Sequence, residues 1–531
     1  MKMKLEDLLE NEKKQKESED TNNSIQKSSK SSVENLMDIC ETYKYFADET
    51  GVQFAEITDP SGKKTITEIK GGDFKNNLRV KYYEKTRKVP SKTDLEGAIE
   101  MIAYRGKVSN GTEPVFLRFG NAGDKHYIDM NNENGEVIEI TRNLWSVINT
   151  ENVRFKRSSQ QKPLCKPEKT SAEDLKLLLK YLRLKNDRQK MLVLATVCSF
   201  AMSDIVRPIL CFVGPKGSGK TTNVRVIRTL LDPREPLFNN TVKYEKEMAI
   251  LFSQNALPCI DNMSDMSRNM SDIFCKTVTG SGFESRTLYT DTDLTHMIYR
   301  RGMLMTALDL PSTMPDFLSR CIHISLDEMG DEACSENLLL EQFEEDKPKI
   351  FGGLLQTIAH AKSHIEWMKF KKLPRLADYA MFGAAVCDVL GYDPNEFMKA
   401  LFLNVDLEKQ NISQSNDPIV EMLVEYMKET EEFDGSTTEL LASLKKLFPR
   451  IASNLSAEAL GKKLKLLAEY LKLKGLSISS TRINTSTKIK IGKLDLNKYL
   501  KKIYDCKFVE IEYDKDRDPS KIDYSSENPF E

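Results

Sequence analysis

"PILCFVGPKGSGKTT", residues 208 to 222, decides how this chain is read. The apolar run from Ile209 to Val213 passes straight into a glycine-rich turn, and "TTNVRVIRTLLDP" follows with helical spacing. A short apolar run of this kind marks a buried strand, so the order is strand, glycine loop, helix. Gly214, Pro215, Lys216, Gly217, Ser218, Gly219, Lys220 and Thr221 satisfy the GxxxxGK[ST] spacing in full. Glycines let backbone N–H groups curl around phosphate oxygens without Cβ clashes, at a helix N-terminus whose dipole favours anions. The expectation is an α/β P-loop fold that takes ATP and Mg2+. Lys220 would reach the β and γ phosphates, Thr221 would ligate the metal, and Thr222 completes the nucleotide-binding set.

About forty residues on, "NALPCIDNMSD" offers an apolar strand ending in Asp261, the carboxylate expected to hold a water on the metal. Asn262 stands where a second acid would orient the attacking water. An amide can orient water but cannot take its proton, so the general base stays open. A further apolar strand, in "RRGMLMTALDLP", ends in the polar Thr306. In "PDFLSRCIHISL" Arg320 precedes a fourth apolar strand, where it would face outward at the rim of the sheet and complete a neighbouring subunit's site.

Around this centre the chain has room for two to four domains in its 531 residues. Residues 1 to 35 are polar and expected to be disordered. Residues 36 to 165 alternate strands with a helix, "TDLEGAIEMIAYRGK", as an α+β module; His126 and Asp129 there read as a half-buried strand edge rather than an acid–base pair. Residues 158 to 174, with two prolines, read as a linker, and 175 to 405 as the motor. The ten cysteines form no CxxC pair and read as reduced, packed thiols. No stretch reads as a secretory signal or a bilayer span, and a cytoplasmic protein without membrane contact is expected.

The compact order of phosphate loop, acidic strand, hairpin, polar strand end and arginine resembles superfamily 3 helicases and related AAA+ ATPases, in particular the MCM-like replicative helicases of mobile genetic elements such as staphylococcal cassette chromosomes and pathogenicity islands. "CKTVTGSGFESRTLYTDTD", "FLSRC" and "LPRLADYAMFG" carry the likeness, which is specific over roughly 205 to 385. It implies an AAA+ core with Lys220, Asp261, Asn262, Thr306, Arg320 and Arg375 at the catalytic positions. In that set Thr306 takes the first-sensor place, Arg320 the trans finger and Arg375 the second sensor. It also implies a homo-oligomeric ring, a hexamer as in the resembling family, with a single DNA strand in its channel. No primase, nuclease or polymerase constellation is read in the residues, so priming would come from a separate primase or other replication partner. "SRTLYT" and "LTHMIY" read as the arms of a channel hairpin with an acidic tip, and Lys276 and Arg286 as its DNA contacts. Relatives usually carry Asn at the Thr306 place and many an acid at the Asn262 place.

The chain's net charge of −2 hides a local excess: residues 436 to 502 hold fifteen Lys and Arg against four acids. "DPIVEMLVEYMKE", "TELLASLKKLF" and "SAEALGKKLKLLAEYLKLKGL" read as three helices, followed by a polar hairpin. Leu460, Leu464, Leu467 and Leu471 form an apolar stripe, with Lys462, Lys465 and Lys472 opposite, and Arg482 and Lys488 on the hairpin. Residues 417 to 502 thus read as a winged-helix module for duplex DNA, and 503 to 531 as an acidic tail. An ATP-dependent DNA helicase or translocase is the expectation. A DNA-binding ATPase that switches assembly without unwinding is the second reading, and a small-molecule P-loop kinase the third.

Overall fold

The computed structural model describes residues 30–58, 64–108, 112–239, 244–264, 266–280, 283–286, 294–297, 300–312, 314–328, 336–411, 418–453, 455–483, 486–495 and 511–513. The chain divides into two compact units, Met1–Val115 and Phe116–Glu531.

The first unit begins with α1, Ser32–Ile39, which starts inside the stretch expected to be disordered and runs past its end at residue 35. A capping box starts it: Ser31 Oγ accepts from the Glu34 N–H and the Glu34 carboxylate accepts from the Ser31 N–H, satisfying two orphan groups. Strands β1 (Lys44–Ala47), β2 (Gln53–Thr58) and β3 (Lys64–Glu68) then form an antiparallel meander. The β2–β3 hairpin is the expected one; its Pro60–Gly62 turn lies outside the described residues. Helices α2 (Gly72–Thr86) and α3 (Lys92–Val108) follow. Phe74, Leu78 and Tyr82 of α2 and Leu95, Ile99 and Ile102 of α3 share one core with Leu36, Ala55 and Ile57.

In the second unit β4 (Phe119–Ala122), β5 (Lys125–Asp129), β6 (Val137–Ile140) and β7 (Trp145–Ile148) make an antiparallel sheet. The division at Val115 differs from the boundary expected near 165, and the core explains it. Phe119, Ile128, Ile138, Trp145 and Leu164 belong to the same apolar cluster as the helices and strands after 175. Arg118, fully buried, donates to Asp232 Oδ1 at 3.0 Å, to the Asp129 carbonyl and to the Lys162 carbonyl. Asp129 is buried and gripped by Arg157, and the buried His126 ring lies 2.8 Å from Asp204 Oδ1, so neither sits on a half-exposed edge. The expected linker is a strap. A Cβ at Gly352 would meet the Glu168 carbonyl at 1.9 Å, and one at Gly353 the Leu175 N–H at 2.4 Å, so only glycines let the strap cross here.

The central sheet is parallel and runs β9-β12-β8-β13, from β8 (Ile209–Val213), β9 (Cys259–Met263), β12 (Met303–Ala307) and β13 (Cys321–Ser325). Between β9 and β12 lie β10 (Phe283–Arg286) and β11 (Leu294–Met297), paired antiparallel as the expected hairpin arms; the tip lies outside the described residues. Strand alternation splits the core in two. Leu210, Phe212, Leu304, Ile322 and Ile324 pack with α4 (Asp187–Phe200), α5 (Lys220–Leu231), α8 (Glu336–His364) and α9 (Ala377–Val389). Ile209, Cys211, Met303, Met305 and Cys321 pack against α6 (Glu245–Gln254) and α7 (Arg268–Thr279). Burial on both faces is why these strands read as apolar runs rather than as an alternating pattern, broken at Asp261 and Asn262 in β9, Thr306 in β12, and His323 and Ser325 in β13.

After α10 (Pro394–Asn411), the C-terminal module has helices α11 (Pro418–Glu429), α12 (Thr437–Leu447) and α13 (Ala457–Leu473). Strands β14 (Glu432–Ser436), β15 (Leu476–Ile483) and β16 (Ser486–Lys493) pair in the order β14-β16-β15. Leu460, Leu464, Leu467 and Leu471 are buried as the stripe requires; β14 is a strand the sequence reading lacks. The segment expected to be a tail is not free throughout. Ile511 is buried in the apolar core around the central sheet, Glu512 pairs with Lys369 and Tyr513 with Met368, and the Tyr513 hydroxyl donates to Asp388 Oδ1 at 3.0 Å. Among the described residues eight cysteines are free thiols, and burial pushes those of Cys40 and Cys275 up to about 12. No helix among them is long and apolar enough to cross a membrane.

Candidate functional site

The glycine loop leaves the C-terminal end of β8 and opens α5. Gly217 (φ 80°) and Gly219 (φ 84°) occupy the left-handed region that the turn demands, and Gly219 is the cap of α5. Pro215, Lys216 and Gly217 are exposed, and Ser218 is buried beneath them. The Lys220 ammonium lies inside the loop and donates to the Gly214 and Pro215 carbonyls at 2.7 and 2.6 Å. Burial pulls its pKa below the ordinary lysine value, against the opposing charge of Asp261.

Asp261 joins the loop to the sheet. Its Oδ1 accepts from Thr306 Oγ1 at 2.5 Å and from Thr221 Oγ1 at 3.4 Å. Thr306 Oγ1 in turn accepts from the Asn262 N–H at 2.8 Å. The sheet register slips between Ile260 and Met263, and Asn262 sits in the left-handed region (φ 53°) at this bulge. Its side-chain amide donates to Asp261 Oδ2 at 3.2 Å. Asn262 and Thr306, both departures from the resembling family, are therefore one hydrogen-bonded unit around the Asp261 carboxylate. Asn is among the few non-glycine residues that take this backbone conformation cheaply. Asn262→Gly should leave stability nearly unchanged, whereas Asn262→Val should cost about 1–2 kcal/mol in denaturant unfolding. Equal stabilities would remove backbone geometry as the reason for this residue.

Thr221 Oγ1 and the Asp261 carboxylate are hard oxygen ligands side by side at the loop, which fits Mg2+. Thr222 points elsewhere and donates to Glu336 Oε1 at 3.2 Å.

Arg320 lies at the other end of the sheet. Its carbonyl accepts from the Ile209 N–H, at the start of β8, while the glycine loop follows the end of that strand. The five residues of β8 at about 3.3 Å each put roughly 17 Å between Arg320 and its own chain's loop. Arg320 is buried, not facing outward as expected, because Asp316 holds it: the guanidinium pairs with Oδ2 at 2.7 Å and donates to the Asp316 carbonyl at 2.9 Å. Arg375, 52% exposed, pairs with the other oxygen at 2.5 Å. Burial pushes the Asp316 carboxyl up, but Arg320, the Cys275 thiol and Arg375 bring it below its ordinary value. The sequence reading missed Asp316; its i,i+4 spacing to Arg320 was the available signal.

Lys276 is exposed in the last turn of α7, and Arg286 ends β10, its side chain outside the described set. On the C-terminal module Lys462 pairs with Glu458 at 2.8 Å and Lys488 with Asp434 at 3.1 Å. Lys465 is exposed and Lys472 half-buried, while the Arg482 side chain lies outside the described set.

Residues 175–400 match the model of a family described as actinomycete integrative conjugative element replication protein. This stretch contains the segment that resembles mobile-element replication proteins in sequence, and the likeness to such proteins holds there. Among solved structures, the A-form apo NrS-1 C-terminal region is 10% identical, with 86% of this chain and 98% of that chain covered at a TM-score of 0.37. A cassette-chromosome protein, SCCmec type IV Cch, described as an active helicase, is 12% identical, with 86% and 94% covered, also at 0.37. At these scores neither likeness carries weight for function. No curated protein matches the chain.

Proposed function

We propose that the chain is an ATP-driven DNA translocase acting in replication of a mobile element, with an AAA+-type motor over 175–405 and a winged-helix module over 417–502. One observation carries it: the hydroxyls of Thr221 and Thr306 converge on Asp261 Oδ1 beside the Lys220 loop. In this reading Lys220 exchanges the Gly214 and Pro215 carbonyls for β and γ phosphate oxygens. Mg2+, held by Thr221 and Asp261, would neutralise charge on the phosphates. Thr306 fixes the carboxylate's orientation, and the attacking water's proton passes to Asp261 or to the phosphate itself, since Asn262 cannot take it.

The arginines supply the reason for more than one copy. Arg320 and Arg375 share Asp316 at the far end of the sheet, so both would serve a neighbour's triphosphate and the working form would be a ring, taken as a hexamer. A γ-phosphate entering from the adjacent copy would compete with Asp316 for them. DNA would pass through the channel, with the β10–β11 hairpin, Lys276 and Arg286 along the strand.

A forked duplex with one labelled strand tests the reading: ATP-dependent displacement is expected. Hydrolysis stimulated by DNA without displacement would instead make the chain a nucleotide-switched DNA-binding ATPase. On the C-terminal module, Lys465 has no carboxylate partner among the described residues. Lys465→Ala should lower the slope of log affinity for duplex against log salt by roughly 0.9. An unchanged slope would take this lysine out of the contact.

A further inference from the structure

Helices α2 and α3 of the first unit turn two tyrosines and several cations toward solvent. Tyr83 is 49% exposed and Tyr104 66%. Arg79, Tyr83 and Arg87 stand four residues apart, which puts them in one row along α2 and its cap. The Arg87 guanidinium lies 6.0 Å over the Tyr83 ring. On α3, Tyr104 stands between the exposed Met101 and Val108, with Arg105 and Lys107 beside it. The inward faces of both helices are already filled by Phe74, Leu78, Tyr82, Leu95, Ile99 and Ile102, so the outward rings add nothing to the core.

The cations are not spent on local ion pairs. Lys75 and Lys85 pair with Glu96 and Asp38, whereas Arg79, Arg87, Arg105 and Lys107 have no carboxylate partner among the described residues. Asp73, Glu84 and Glu100 are the exposed acids of the two helices, fewer than the cations around them. Protein–protein contacts also concentrate Tyr, Met and Arg, but their centres are depleted of Lys and of unpaired charge, whereas Lys107 and three arginines without a carboxylate partner among the described residues stand on these helices. Exposed aromatic faces among unpaired cations are instead the two parts of sequence-tolerant single-strand binding: bases stack on the rings and phosphates meet the charges.

We propose that the outward faces of α2 and α3 bind single-stranded nucleic acid, with Tyr83 and Tyr104 each stacking on a base and Arg79, Arg87, Arg105 and Lys107 meeting phosphates. The site requires no nucleotide and stands independently of the ATP reading. Tyr104→Trp in the full chain places an exposed indole there; of the two native tryptophans, Trp145 is buried and Trp367 half-buried, and the parent protein serves as the blank. Oligothymidine, titrated without ATP, should quench the added fluorescence saturably and more weakly as salt rises. In the otherwise native chain, Tyr83→Ala with Tyr104→Ala should lower single-strand affinity at least about tenfold. A labelled strand that binds by anisotropy while the introduced indole stays unquenched overturns the proposal and leaves the motor reading standing. Equal quenching by duplex overturns base stacking. Quenching that follows protein concentration without DNA overturns it in favour of contact between copies.

Discussion

Asp261→Asn and Lys220→Ala should each reduce ATP turnover by at least about 10²–10³-fold, the scale on which one electrostatic partner of a transition state is lost. The two variants fail for different reasons. Asparagine keeps one acceptor oxygen for the Thr306 and Thr221 hydroxyls but puts an NH2 donor where Oδ2 accepts from the Asn262 amide, so charge and that one hydrogen bond are lost together. The Asn262 N–H to Thr306 bond remains at the bulge, and ATP should bind with weakened Mg2+ dependence. Alanine at 220 removes the ammonium from within the loop and should weaken triphosphate binding itself. Stability in denaturant separates lost chemistry from lost folding. Turnover near the parent rate in either variant would place hydrolysis elsewhere in the chain.

The second large effect concerns Arg320→Ala. ATP should still bind, because roughly 17 Å of strand separates this residue from its own loop. Hydrolysis should fall by about 10³–10⁵-fold, the range for an arginine that completes a phosphoryl-transfer site. Mixing this variant with Lys220→Ala should restore part of the activity, since some interfaces then pair an intact loop with an intact arginine. Absence of rescue at every ratio would rule out a site shared between copies. Asp316→Asn sharpens the reading: it frees both arginines from a full negative charge without removing either.

The features legible in the sequence were local in chain or uniform in burial. The glycine loop is a contiguous spacing, and β8, β9, β12 and β13 are mostly apolar because both faces of the sheet are covered, with Asp261, Asn262, Thr306, His323 and Ser325 as the polar exceptions. Helix α2 escaped because its core stripe is narrow, Phe74, Leu78 and Tyr82, with Val80 and Tyr83 outward among them. The strap over 158–174 looked like a linker because its prolines and polar residues are local, whereas the glycines that receive it lie nearly two hundred residues later. The Asn262–Thr306 pair was visible only as two departures. Their coupling requires knowing that β9 and β12 are neighbours.

The return of Ile511, Glu512 and Tyr513 to the elements around the central sheet changes what kind of appendage the C-terminal module is. It is mounted at two points rather than trailing on one. Only six residues join Asn411 to Pro418, and a chain extends at most about 3.6 Å per residue, so Pro418 stays within roughly 25 Å of Asn411. A double helix gripped by Lys465 would travel on that short leash, delivered to the motor's doorstep instead of searching freely around it.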